Sequence, residues 1–203
     1  MAPLDTILAH PDVARLAMRL AGQPGRTMPR EGLARYAAIG LILRPTAHGE
    51  PELLLIKRAE CDQDPWSGHI ACPGGRMDPT DRDLEYTATR ETWEETGIDL
   101  ATNGRILGTL DDISPRSPLL PPLIIRPFVA VVMPDVIVVD STEVAEAFWV
   151  PLDAVREQAA WGRGTVGIRG LGEREEDVFR HGEHTVWGLT HRALRQFLEL
   201  LSP

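Results

Sequence analysis

Three glutamates lie close together in the segment RETWEETG, residues 90–97. Upstream, Thr80 and Asp83 resemble a helix capping box, and Gly97 stands where a C-cap glycine ends a helix. The segment between them is therefore predicted to be a helix that carries the glutamates on one edge. Like charges three or four positions apart on a helix repel by a few tenths of a kcal/mol per pair. The cluster is thus either a solvated acidic face or the seat of a strongly positive group.

A divalent metal ion is one group that such a cluster can hold. Mg²⁺ takes oxygen ligands and commonly shares a few carboxylates with substrate phosphates. Glu91 and Glu95 are one helical turn apart and can present their carboxylates side by side, while Glu94 approaches the same edge. Before the helix, Gly74 and Gly75 let the backbone bend closely and expose a carbonyl to a metal or an amide to a phosphate. Together these features favour a metal site over a solvated face.

The rest of the chain predicts a mixed domain of strands and helices. Apolar runs typical of buried strands occupy residues 36–44, 52–58, 105–113, 123–133 and 136–140. Further predicted elements are a short strand leading into a glycine loop (69–75), a strand entering a helix (146–155), a mobile loop or hairpin (161–183) and an amphipathic helix (190–201). Because only one long helix is central, an α/β sandwich is favoured over a doubly wound sheet.

The N-terminal residues are predicted to form an appendage to this domain. Short helical patterns in 4–21 precede the Gly- and Pro-rich segment 22–32, which is typical of a linker. We therefore assign 1–33 to a helical appendage with its linker and 34–203 to the main domain. A single domain of this size is large enough to bury a proper core.

Charge and composition limit the choice of partner. The formal net charge of −9 argues against a general binder of nucleic acid or membrane surfaces. The N-terminus contains Asp5 and is broken by Pro11, so it resembles neither a signal peptide nor a membrane span. Cys61 and Cys72 fit neither a disulfide framework nor a zinc site. We expect a soluble cytoplasmic monomer or homodimer whose partner is a small molecule, with no nucleic acid and no membrane.

The segment 74–98 resembles the Nudix box, the loop–helix signature of hydrolases that cleave nucleoside diphosphates linked to another group. Its core, Arg-Glu-any-any-Glu-Glu-any-Gly, is complete from Arg90 to Gly97. The resemblance implies a Nudix-type α/β/α sandwich with a mixed sheet, dependence on Mg²⁺ or Mn²⁺, and attack of water on a pyrophosphate phosphorus.

The same resemblance implies roles for individual residues. Glu91 and Glu95 would be direct metal ligands, and Glu94 would bind the metal or its bound water. The carbonyl of Gly74 would be a further ligand. Arg90 would complete the catalytic set by holding a neighbouring carboxylate with its two-pronged guanidinium.

The box is one residue longer between Gly75 and Arg90 than the common form, and in this it resembles the coenzyme A pyrophosphatase branch. Further similarity to that branch lies in residues 53–58, 126–132, 143–152 and 186–192. The implied reaction cleaves coenzyme A or a derivative to 3′,5′-ADP and a phosphopantetheine product. The alternatives are a broad hydrolase of nucleoside diphosphate derivatives, such as ADP-ribose or a dinucleotide, and a non-catalytic nucleotide sensor.

Substrate phosphates are expected to meet arginines and glycine backbone around the box. The predicted substrate-binding residues are Arg58, Gly74, Gly75, Arg76 and Arg116. Glu143 and Glu146, which precede a predicted strand, could add a carboxylate from across the cleft.

Overall fold

The computed structural model describes residues 3–29, 35–62, 64–115, 122–139 and 141–202. Its helices are α1 (Pro3–Leu8), α2 (Pro11–Gly22), α3 (Leu84–Thr96), α4 (Leu100–Asn103), α5 (Leu152–Arg156) and α6 (Gly188–Leu201). Its strands are β1 (Arg35–Pro45), β2 (Pro51–Arg58), β3 (Ile70–Ala71), β4 (Gly74–Arg76), β5 (Gly104–Thr109), β6 (Leu123–Val132), β7 (Val144–Pro151), β8 (Trp161–Ile168), β9 (Gly172–His181) and β10 (His184–Trp187). Within these ranges no helix is long and apolar enough to cross a membrane.

Seven strands form a mixed main sheet. The order is β3-β2-β1-β6-β5, with β4 paired to β1 and β7 paired to β2. Strands β1 and β6 run parallel, from Arg35 opposite Leu123 to Leu43 opposite Val131, and the other pairs are antiparallel. The mixed sheet confirms the predicted α/β class.

Helices cover both faces of this sheet because the side chains of β1 alternate between two apolar layers. Leu41 and Leu43 lie in a core shared with α1, α2 and α6, whereas Ala38 and Ile42 pack on the side of α3 and α4. Burial on both faces explains why β1 and β6 read as nearly continuous apolar runs. The result is the predicted three-layer sandwich, and it places the glutamate-bearing α3 against β1.

The two N-terminal helices contribute directly to the core beneath the sheet. Their buried residues are Ile7, Val13, Leu16 and Leu20, and they share this core with Phe197 of α6. The division of the chain at residue 33 stays a prediction, but α1 and α2 bury their apolar sides in the main domain.

The Gly- and Pro-rich segment after α2 lies along the residues that follow β5. The Gly25 N–H donates to the Thr109 carbonyl (3.1 Å), and the Met28 N–H donates to the Asp112 carboxylate (2.8 Å). A side chain at Gly25 would overlap the Leu110 carbonyl, so this approach requires glycine. Residues 23–29 are thus fixed to the domain by backbone hydrogen bonds.

The strand predicted at 136–140 was wrong for residues 136–139, and residue 140 lies outside the described residues. Val136 packs into the apolar cluster beside α4, and the Val139 N–H donates to the Thr96 carbonyl at the end of α3 (2.9 Å). Val136 is buried and Val138 packs against the same cluster, whereas Ile137 and Val139 are exposed, and none of the four residues pairs with a strand. The segment 161–183, predicted as a loop or hairpin, is the hairpin β8–β9, and β10 completes its three-stranded sheet.

Gly25→Ala should lower the free energy of unfolding by about 1–3 kcal/mol, because the backbone at Leu110 must move to admit a methyl group. Gly22→Ala is the matched control, since a methyl group there meets nothing within 4 Å. Urea unfolding of both variants measures the difference. Equal stabilities would contradict the close packing of residues 23–29.

Candidate active site

The helix α3 that carries the glutamates has a defined cap at each end. The Asp83 carboxylate accepts the Tyr86 N–H (2.7 Å), so the helix begins after Asp83. The prediction that Thr80 caps the helix was wrong, because the Thr80 N–H and hydroxyl both donate to Asp78 in a preceding turn (2.9 and 2.7 Å). Gly97 is confirmed as the C-cap, with φ of 71° and its N–H bonded to the Trp93 carbonyl.

The glycines of β4 meet two of the three glutamates. The Gly74 N–H donates to Glu95 Oε2 (2.7 Å), and Glu95 is only 3% exposed. A side chain at Gly75 would overlap the Glu91 carboxylate. The predicted glycine loop is therefore a short strand paired with β1, which brings sheet backbone into contact with the acidic edge of α3.

Arg90 pairs with two of the three glutamates at the exposed side of the cluster. Its Nη1 lies 2.9 Å from Glu91 Oε1 and 3.1 Å from Glu94 Oε2. Its Nη2 also donates to the carbonyl of Arg76 in β4 (3.1 Å). The structure thus brings together Arg90, the three glutamates and the glycines.

Asp81 fixes Arg90 and was not singled out by the sequence analysis. Its buried carboxylate accepts Arg90 Nε (3.0 Å) and Nη2 (2.9 Å), and it also accepts the Asp78 N–H and the Thr87 hydroxyl. The hydrogen bonds from Arg90 lower the pKa of Asp81 to about 2. The three aspartates between Gly75 and the helix were the available signal, but only the fold shows which one turns inward.

Burial shapes the acidity of the cluster. Desolvation raises the pKa of Glu95 to about 7, against the hydrogen bond from Gly74, and the charge of Glu91 adds to the rise. Burial also raises the pKa of Glu91, although Arg90 opposes it. Charged carboxylates held this close in low-dielectric surroundings are stabilised by a nearby cation.

The donors at this site fit a hard divalent cation. All are oxygen atoms, the chemistry that Mg²⁺ and Mn²⁺ prefer. Among the described residues, no three acidic, imidazole or thiol side chains already surround one point as metal ligands. Arg90 pairs with Glu91 and Glu94, whereas Glu95 accepts the Gly74 N–H, so the three carboxylates have different partners. The ligand roles of these residues, including the Gly74 carbonyl, stay predictions.

The predicted phosphate-binding arginines lie in different settings. Arg58 ends β2, and its Nη2 pairs with Asp64 Oδ2 (2.6 Å); its charge lowers the pKa of Glu95, so it acts on the cluster. Arg76 is exposed on β4, next to Gly75. Arg116 lies outside the described residues.

The structure separates Glu143 from Glu146. The charge of Glu143, an exposed residue just before β7, raises the pKa of both Glu91 and Glu95, so it acts on the cluster. Glu146 instead lies 3.6 Å from His184 of β10. Only the first of the two candidates adds a carboxylate to the site.

Comparisons with known proteins agree with this arrangement. The sequence model of the NUDIX domain matches residues 34–167. The human protein named mitochondrial coenzyme A diphosphatase NUDT8 is 31% identical over 185 residues, which are 91% of this chain and 75% of that protein. An uncharacterized protein of Schizosaccharomyces pombe is 42% identical over 107 residues, half of this chain and 32% of its own length. A Caenorhabditis elegans Ap4A hydrolase complex shares the fold with a TM-score of 0.50 and 25% identity, covering 61% of this chain and 85% of that one.

Glu95→Gln should stabilise the metal-free protein at pH 8. Because the pKa of Glu95 is about 7 in the folded state and ordinarily 4.5, the folded protein holds a proton that the unfolded chain releases. That stabilisation is complete below pH 4.5 and is lost as the pH rises through 7. Between pH 5 and 8 in EDTA, the wild type should lose up to about 3 kcal/mol of unfolding free energy more than Glu95→Gln does.

Glu85→Gln, an exposed change on the same helix, serves as the control and should keep the pH dependence of the wild type. Urea unfolding at both pH values measures all three proteins. Parallel curves for the wild type and Glu95→Gln would contradict the raised pKa.

Proposed function

Because the chain belongs to the Nudix hydrolase family, we propose that it hydrolyses the diphosphate of coenzyme A or its derivatives to 3′,5′-ADP and a phosphopantetheine product. Enzymes of this family act on phosphoanhydride bonds and generally need divalent metal ions. The observation that carries the hydrolase chemistry is the buried Glu95, held by the Gly74 backbone among further carboxylates. The choice of coenzyme A is supported by the 31% identity to the human diphosphatase over most of the chain.

The carboxylates of Glu91, Glu94 and Glu95, with the carbonyl of Gly74, would hold the cation, which we propose is Mg²⁺ or Mn²⁺. When bound, such an ion offsets the charge of the diphosphate and lowers the pKa of water. Arg90 keeps Glu91 and Glu94 next to each other, and the Gly74 N–H keeps Glu95 in the same layer. The protein therefore supplies carboxylates whose positions are fixed before substrate arrives.

Hydrolysis breaks one P–O bond of the phosphoanhydride. The oxygen of water joins the attacked phosphorus, the other phosphate leaves with the bridging oxygen, and one proton is released. Glu94 and Glu143 are the exposed carboxylates of the cluster, so they can accept that proton. The phosphate oxygens would be bound by the predicted arginines, Arg58, Arg76 and Arg116.

A broad hydrolase of nucleoside diphosphate derivatives is the second candidate. It is favoured by the fold that the chain shares with an Ap4A hydrolase and by the position of Arg58, which lies at the carboxylate cluster where any diphosphate would bind. The non-catalytic sensor is less well supported, because the box keeps all three glutamates. The two enzymatic candidates differ in whether the 3′-phosphate of coenzyme A is recognised.

Diphosphate hydrolysis should stop in excess EDTA and return when Mg²⁺ or Mn²⁺ is added, because the carboxylates alone repel an anionic substrate.

Glu95→Gln should fold, because the amide oxygen of the glutamine can still accept the Gly74 N–H. Its kcat should fall by at least about a hundredfold, because one charged metal ligand is removed. Glu85→Gln should retain wild-type turnover. Product-resolved chromatography measures each reaction, and full activity in EDTA would rule out the metal mechanism.

Coenzyme A should be hydrolysed with kcat/KM about tenfold or more above that of 3′-dephospho-coenzyme A, because a charge-assisted contact to the 3′-phosphate discriminates by roughly that factor. Arg76→Ala should lower the ratio if the exposed Arg76 makes this contact. ADP-ribose tests the broader activity in the same assay. A ratio near one for the wild type would favour the broad hydrolase.

A further inference from the structure

The loop between β2 and β3 is built around Asp64. Its Oδ2 accepts Arg58 Nη2 (2.6 Å), and its Oδ1 accepts the Trp66 N–H (3.0 Å). Its backbone N–H donates to the Cys61 carbonyl, and its carbonyl accepts the Ser67 N–H, both at 3.1 Å. Main chain and side chain of Asp64 are therefore fixed together, and the carboxylate has little freedom to swing away from Arg58.

The same loop fixes the backbone of Arg58. The Arg58 N–H donates to the His69 carbonyl (3.0 Å), and its own carbonyl accepts the Gly68 N–H (3.1 Å). Glycine is required at position 68, where φ is 74° and a side chain would overlap the Glu60 carboxylate. The end of the loop is thus hydrogen-bonded to the backbone of Arg58, and Asp64 holds the guanidinium of Arg58.

The guanidinium of Arg58 has donors left for a ligand. Within the described residues its one ion pair, with Asp64, uses Nη2, and the side chain is 39% exposed. The Nε has no hydrogen-bond partner but is buried, so the donors open to a ligand are the N–H groups of Nη1 and the second N–H of Nη2. Arg58 is the last residue of β2 and lies opposite Val144 at the start of β7, and the Ala59 N–H that follows it donates to the Glu143 carbonyl (2.9 Å). Its charge also lowers the pKa of the buried Glu95, so the guanidinium acts on the carboxylate cluster. Arginine binds phosphate oxygens through two adjacent N–H groups, so an arginine held at one nitrogen can still offer the others.

We propose that Asp64 is a positioning residue, which holds Arg58 so that its remaining N–H groups face the diphosphate at the carboxylate cluster. The inference rests on the proposed function and names a residue that acts through another. An arginine side chain loses much conformational freedom when it binds a phosphate, and fixing it in advance reduces that cost. Because the charge of Arg58 acts on the carboxylate cluster, we expect it to bind the diphosphate common to all substrates and not the 3′-phosphate.

Asp64→Asn is the test variant, because the amide oxygen can still accept the Trp66 N–H while the charge that holds Arg58 is lost. We expect kcat/KM for coenzyme A to fall about tenfold, mainly through a higher KM. The same factor is expected for 3′-dephospho-coenzyme A. Asp62→Asn is the matched control, since Asp62 lies on the same loop, is fully exposed and pairs with Arg169; it should leave kcat/KM within about twofold.

A double-mutant cycle separates positioning from a general effect on the loop. Arg58→Ala should cost at least as much as Asp64→Asn, and in the Arg58→Ala background Asp64→Asn should change kcat/KM by less than about twofold. Asp64→Glu keeps the charge but displaces it, so it should also raise KM. Melting temperatures of all variants show whether the loop change unfolds the protein, and the cycle uses only folded variants.

Additive losses in the cycle would overturn the proposal, because Asp64 would then act without Arg58. A lower KM in Asp64→Asn would also overturn it, since Asp64 would be competing with phosphate for Arg58. If the wild type is active and Asp64→Asn matches it, this inference falls while the proposed function stands. If the wild type cleaves no diphosphate, both fall together.

Discussion

The buried ion pair between Asp81 and Arg90 is the contact on which the geometry of the site depends. The Asp81 side chain has no exposed surface, and four hydrogen bonds fix it within the turn before α3. Separating the two side chains would leave the Asp81 charge buried without a partner, which is strongly destabilising, so the pair stays together. Arg90 then has Nη1 free to reach Glu91 and Glu94. The carboxylates are thus placed by the loop before the helix as well as by helical spacing.

Glycines of the sheet, which have no side chains, complete this arrangement. Gly74, with φ of 145°, and Gly75 let β4 lie against Glu95 and Glu91. Gly40 of β1 has the same effect one strand away, where a side chain would crowd Thr92 of α3. The close approach explains the burial of Glu95, and that burial raises its pKa. The raised pKa of Glu95 is therefore a consequence of how closely α3 packs against the sheet.

The sequence predicted the sandwich and the carboxylate cluster because both depend on local spacing. It could not select Asp81 from three nearby aspartates, nor find Asp64, since each is defined by a loop conformation that brings it to an arginine nine or six residues away. It also grouped Glu143 with Glu146, but Glu143 lies in the turn before β7, and the pairing of β7 with β2 is shifted between Val144 and Glu146. The segment 136–139 was mistaken for a strand because it is apolar throughout, although only Val136 is buried there, beside α4. Location in the cell and oligomeric state stay predictions.

The balance of charge supports the proposal that this site binds a cation together with its substrate. Glu91, Glu94, Glu95 and Glu143 act on one another, while Arg90 is shared with Asp81 and Arg58 with Asp64. Each arginine is therefore largely neutralised by its own aspartate, and the glutamates leave the cluster negative. A diphosphate would be repelled from such a surface, because like charges at short range in a low dielectric interact strongly. The aspartates thus fix the arginines in place, and under the proposed function a metal ion would supply the positive charge that the substrate needs.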